Sequence, residues 1–161
     1  MSSVNVKVPF VEAAERITED IQHQMERRSF LAANELRNAS QEVLRGQRSG
    51  RRYKVPGTYK RHRNKRTGRK MSGRHYTASA PGEPPAVRTG AFRMSWQPSA
   101  RVVYGSYISR IESDIRTDNG RYNLGSILEE GTSRMAPRPH QDLILEKAEP
   151  EIVKIYSESY F

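Results

Sequence analysis

Cysteine is missing from these 161 residues, so no disulfide can staple the fold and no thiolate can hold a metal. Long apolar runs are missing too, and nothing approaches the roughly 18 continuous apolar residues that a spanning helix needs. The first ten residues carry one lysine and no apolar stretch, which argues against a secretory signal. Together these absences predict a protein made in a cytoplasm, staying in solution, with no membrane partner. Hydrophobic residues are scarce at 35%, with a mean hydropathy of −0.84, so either the core is small or much of the chain lies outside it. A single domain is expected at this length.

Acidic residues are absent from one place in particular. Between Arg45 and Arg74 there are thirteen Lys and Arg and no Asp or Glu, whereas the whole chain has 28 basic and 18 acidic residues. The remainder is therefore slightly acidic, with 15 basic residues against 18. The basicity belongs to one segment, and a polyanion or an acidic protein face is a partner for that segment alone.

What is present predicts an α+β chain in the order helix, basic loop, strands, helix, with a small antiparallel sheet. Phe10, Ala14, Ile17, Ile21, Met25, Ala32, Leu36, Ala39 and Val43 recur at steps of three, four or seven. That spacing is the apolar stripe of one long helix over 9–46, opened by Pro9 and stopped near Gly46. At 1.5 Å per residue it would be about 54 Å long, which suggests a helix shared between packing partners. Residues 47–89 are rich in Arg, Lys, Gly, Ser and Pro and cannot bury enough apolar surface to fold alone, so an extended loop is expected. Over 90–139 strands and loops follow: Phe92, Met94 and Trp96 alternate with polar residues as in a half-buried strand, with Arg93 and Ser95 facing the other way. Arg101–Ile111 holds one or two further strands around Gly105, Asp118-Asn119-Gly120 marks a turn, and Leu124–Glu130 could be strand or helix. A helical period returns over 140–160 through Leu145, Ala148, Ile152, Ile155 and Tyr156, with Pro150 either kinking it or starting its second half.

Catalytic patterns are poor. His23, His62, His75 and His140 are scattered without metal spacing, and no nucleophile motif or phosphate loop occurs. His140 and Asp142 could be drawn as a dyad, but their spacing across a helix start suits ordinary capping better. The expectation is a protein that is not an enzyme and needs neither metal nor cofactor. The basic run is more informative. Arg51, Arg52, Lys54, Lys60, Arg61, Arg63, Lys65, Arg66, Arg69, Lys70 and Arg74 are interleaved with Tyr53, Tyr59 and Tyr76. Such side chains neutralise phosphate without reading sequence, or dock on an acidic protein, or simply stay solvated.

Two stretches carry a resemblance. Ala78–Trp96, ASAPGEPPAVRTGAFRMSW, and Leu128–Pro139, LEEGTSRMAPRP, resemble the minor tail and tail-completion (head–tail joining, neck) proteins of long-tailed bacteriophages. In that family a SAPGEPPA segment followed by Thr-Gly enters the first strand, and a later Gly-Thr-Ser-Arg-Met to Arg-Pro segment leads into the last helix. The matching residues here run from Ser79 to Ala86, then Thr89, Gly90, Phe92 and Ser95, and later Leu128, Glu129, Gly131–Met135, Arg138 and Pro139. His140 stands where an aromatic usually follows Arg-Pro. With the long helix and basic loop before them, the resemblance spans most of the chain.

The resemblance implies a non-catalytic virion protein in the tail or neck, assembled in the host cytoplasm. It would form a homo-oligomeric ring, sixfold by family resemblance, at the head-proximal end of the tail. Its neighbours would be tail tube, tail terminator or head–tail connector proteins, and the basic segment would reach a neighbouring ring or the DNA in the channel. Prolines 81, 84 and 85 stiffen the connection, and Gly82 and Gly90 permit tight turns. Arg134 and Arg138 offer planar forks for carboxylates on a neighbouring subunit, with Glu129 and Thr132 in the same interface. The rival reading is a non-specific nucleic-acid-binding protein acting through residues 45–74. It explains the basic run but neither of the two motif stretches.

Overall fold

The computed structural model describes residues 9–55, 66 and 73–160. Helix α1, Phe10–Val43, follows from the apolar stripe, with Pro9 at its N-cap; it ends at Leu44, whose N–H bonds to Ser40 O at 3.0 Å. It is shorter at both ends than the expected 9–46, because Leu44 already closes the last turn before Gly46 is reached. Apart from Arg28, the side chains that α1 buries are small: Ser29, Ala32, Ala33, Ala39 and Ser40. Small residues let other elements come close, and both the C-terminal helix and the main hairpin pack along this face.

The hairpin is β1, Gln97–Val103, and β2, Ser106–Glu112, antiparallel from Gln97↔Glu112 to Val103↔Ser106. Tyr104 and Gly105 form its two-residue loop with φ of 48° and 78°. Positive φ at both central positions is the type I′ turn, whose twist matches that of the strands. Ser109 ties the hairpin to α1, its hydroxyl donating to Ser29 O at 2.8 Å.

Two expectations about strands need correction. Phe92–Gln97 is not a strand: Ala91–Met94 is a short helix, α2, and the strand begins only at Gln97. Gly90 at φ 89° turns the chain, and Met94 N bonds back to Gly90 O. Phe92 and Trp96, four apart, then meet edge to face at 5.5 Å, while Met94 is left exposed. The second correction concerns 47–89, which is not all loop. Arg52–Lys54 (β3) and His75–Thr77 (β4) form a second antiparallel ladder, with the Tyr53 and Tyr76 rings stacked at 5.8 Å. The sheet content is therefore two two-stranded ladders rather than one sheet.

Leu124–Glu130 is helix α3, started by the Asn123 side chain accepting from Ser126 N. Helix α4, Gln141–Ser157, continues through Pro150 and packs on α1, where Ala39, Ile144 and Ala148 form the buried centre, flanked by Leu36, Val43, Ile111 and Ile152. Arg28 seals the far end of α4. Its guanidinium donates to Glu158 O at 2.7 Å and Ser159 O at 2.6 Å and lies 3.8 Å over the Tyr160 ring. Carbonyls past a helix end lack intrahelical donors, so a charged fork there is favourable. Among the described residues no helix is long and apolar enough to cross a membrane.

Candidate functional site

The two stretches that carry the resemblance are separated by residues 97–127, yet they meet in one joint at the C-terminal end of α1. Ala80-Pro81-Gly82-Glu83 is a tight turn closed by Glu83 N to Ala80 O, with Pro at its second position and Gly82 at φ 81°. Those are the residue types that a type II turn demands. The turn brings the Glu83 carboxylate onto Ser49, whose hydroxyl and N–H both donate to it, and onto Ala80 N. These donors, in that order of weight and helped slightly by Arg48, hold the Glu83 carboxyl down at about 2, against a small desolvation effect.

Arg48 lies on the other side of the turn. It donates to Pro84 O at 2.6 Å, to Pro85 O, and to Val43 O at 2.7 Å in the last turn of α1. Burial lowers its pKa and the Glu83 charge opposes that. One guanidinium thus satisfies a helix-end carbonyl and two carbonyls of a proline-stiffened segment. Gly50 completes the approach. Its N–H bonds to Ala78 O, and a Cβ at this position would sit 2.6 Å from that oxygen.

The second stretch closes on the first. Arg138 donates to Ser79 O at 2.6 Å, and Gly82 N donates to Pro137 O. Gly131, at φ 77° and ψ −169°, ends α3 and leads into a turn in which Thr132 and Met135 exchange backbone bonds. Glu129 reaches forward to cap α4, accepting from His140 N at 3.0 Å and Gln141 N at 3.3 Å. The cap that sequence assigned to His140 and Asp142 is supplied by this more distant carboxylate. His140 itself is fully buried, with Nδ1 2.7 Å from Glu129 and 3.1 Å from Arg138 O. Both neighbours of Nδ1, the Glu129 carboxylate and the Arg138 carbonyl, are acceptors, which favours a proton on that nitrogen. The ring packs edge-on against Phe92 and Trp96, filling the aromatic position expected there.

Beside the joint opens a cleft of about 610 Å³. Apolar side chains of Leu44, Phe92, Leu124 and Leu128 line it, together with Arg88, Arg93, Arg116 and Arg138. Asp118 is the one carboxylate among the described lining residues, and no described carboxylate forms an ion pair with any of the four arginines. Arg88 and Arg116 are exposed, and Arg93 Nε is buried without a described hydrogen-bond partner. Sequence reasoning did not find this group, because its arginines come from three separate segments with no local spacing to connect them.

Of the residues expected to bind a partner, Arg51, Arg52, Lys54 and Arg74 lie on or beside the β3–β4 ladder, and Arg66 is an exposed turn residue. Lys60, Arg61, Arg63, Lys65, Arg69 and Lys70 lie outside the described residues. In the expected subunit interface, Glu129 and Arg138 bond within their own chain, and Thr132 Oγ1 accepts from Arg134 N. The Arg134 side chain is left exposed. No family model, curated protein or solved structure matches the chain.

Proposed function

We propose that this chain is a structural protein of a long-tailed phage virion, forming a ring at the head-proximal end of the tail or in the neck and joining tail to head. The observation that carries the reading is the convergence of the two resembling stretches, which lock to each other and to the end of α1. Residues distant in sequence and alike in two places to one family are easiest to explain when they build one device. A second observation agrees with assembly. The first turns of α1 stand clear of the body with Phe10, Val11 and Ile17 exposed, as expected of a subunit whose packing is completed by neighbours.

The nucleic-acid reading draws on the β3–β4 ladder, where Arg51, Arg52 and Tyr53 are exposed at the root of the basic segment. Within a neck ring the same surface would face DNA or an adjoining protein layer. The decisive experiment is immunogold microscopy of particles from the phage that carries the gene, using antibody to the purified chain. Gold at the head–tail junction is expected. Unlabelled particles, with the protein found on host nucleic acid instead, would overturn the virion reading in favour of the nucleic-acid one.

A further inference from the structure

Two surfaces of the molecule carry complementary features. The first is the start of α1. Residues 10–20 are exposed save for the half-buried Ala13, and Phe10 is 86% exposed. Phe10, Val11, Ala14 and Ile17 fall at i, i+1, i+4 and i+7, which places them on one side of the helix. Glu12, Glu15, Glu19 and Asp20 accompany them, against Arg16 alone, a surplus of three negative charges. Three turns of helix are marginal in water unless an apolar face is covered.

The second surface is the cleft beside the joint. It offers the opposite pairing, apolar walls with four arginines against Asp118, a surplus of three positive charges. A groove of this kind accepts an amphipathic helix through anchors at i, i+4 and i+7. Charge selects the occupant further. Two copies of the acidic helix repel each other, as do two copies of the arginine-lined cleft, whereas helix and cleft attract.

The helix cannot reach the cleft of its own chain. Leu44, at the opposite end of α1, lines that cleft, and Ile17 to Leu44 measures about 40 Å along the helix axis at 1.5 Å per residue. We propose that the first three turns of α1 in one copy dock in the arginine-lined cleft of the next copy. Helix and cleft are different surfaces, so the contact is head-to-tail, and it builds a ring when the rotation between neighbours closes. This deepens the virion-ring reading, on which it rests for its biological setting, by naming the contact that would build the ring.

The test uses the full-length chain and two charge-reversed variants, followed by sedimentation and native mass spectrometry at low and high salt. The helix variant is Glu12→Lys/Glu15→Lys/Glu19→Lys and the cleft variant Arg88→Glu/Arg116→Glu. All five side chains are exposed, so circular dichroism should match the parent. The parent should self-associate in a salt-sensitive way. Each variant alone should associate at least about tenfold more weakly, because like charges then face each other. An equal mixture of the two should recover assembly, since the reversed helix of one fits the reversed cleft of the other. Folded variants that associate like the parent, a mixture that fails to recover, or a parent that stays monomeric would each overturn the docking. Gold at the virion junction with unaffected variants would sink the docking and leave the ring reading. Recovery in the mixture with unlabelled particles would do the reverse.

Discussion

Replacing Gly131 with alanine isolates what the joint demands of its backbone, because Gly82 provides a matched control. Gly131 sits at φ 77° and ψ −169°, a region essentially closed to residues with a Cβ. Adopting it costs an alanine on the order of 1–3 kcal/mol. The added Cβ would also lie 2.7 Å from Met135 O and 2.8 Å from Pro137 N, both backbone atoms that cannot rotate away. Relieving that clash means moving the Thr132–Met135 turn, and with it the Arg138 N to Leu128 O bond and the Arg138 fork on Ser79. Losing one such bond adds about 1 kcal/mol, so Gly131→Ala should destabilise by roughly 2–4 kcal/mol in all. Gly82 also has positive φ, at 81°, but an added Cβ there meets nothing within 4 Å. Gly82→Ala should therefore cost only the conformational penalty, about 1–2 kcal/mol. Urea unfolding of both variants, followed by far-ultraviolet circular dichroism, measures the difference. Equal losses would refute the steric argument, and a Gly131→Ala protein as stable as the parent would refute the joint's role in the fold.

Three further outcomes follow from the same contacts. The Glu83 carboxyl is depressed from 4.5 to about 2, so its contribution to stability is fully present above about pH 4.5 and is lost as pH falls through about 2. Urea midpoints of the parent should drop across that window, and Glu83→Gln should lower the neutral-pH midpoint and flatten this part of the profile. Trp96 is 8% exposed against Phe92 and His140, so Trp96→Ala should cost on the order of 3–5 kcal/mol, read by thermal unfolding. If the basic segment meets DNA, the chain should bind duplexes without sequence preference and more weakly as salt rises. Changing Lys60, Arg61, Arg63, Lys65 and Arg66 to Ser should then remove most of the salt slope, whereas identical titrations of parent and variant would point to a protein partner.

Much of the fold was legible in the sequence because long periodic patterns are redundant. The α1 stripe survives any single misleading residue, and Arg101–Ile111, which reads as one or two strands around Gly105, resolves into the two strands of the hairpin. Short segments lack that redundancy. Phe92, Met94 and Trp96 alternate as in a strand, but Phe92 and Trp96 are equally a helical pair, and the left-handed Gly90 decided between them. The β3–β4 ladder is three residues long on each side and mostly exposed, so no burial pattern announces it. Periodicity also shows which face of a helix is apolar without showing that anything in the same chain covers it. That is why the stripe from Phe10 to Ile17 is visible in sequence yet solvent-exposed in the subunit.

The site was legible as a set of residues more than as a set of roles. Arg138 and Glu129 stand out in their motif, and an arginine fork or a carboxylate in a loop suits a neighbouring subunit as readily as its own chain. The structure engages both internally, Arg138 on a carbonyl of the other motif and Glu129 on the first N–H groups of α4. This has a consequence for how assembly and stability separate. Changes at Gly131, Arg138, Glu129 or Glu83 disturb bonds that hold the subunit together, so their effects on assembly would be confounded with unfolding. Changes at Glu12, Glu15, Arg88 or Arg116 touch exposed side chains with no described ion pair, and such surface substitutions usually shift stability by no more than about 0.5 kcal/mol. If the α1 start docks in the arginine-lined cleft as proposed, partner choice can vary at those two surfaces while the joint keeps the fold constant. A residue whose substitution alters association without moving the urea midpoint belongs to the first group, and one that moves both belongs to the second.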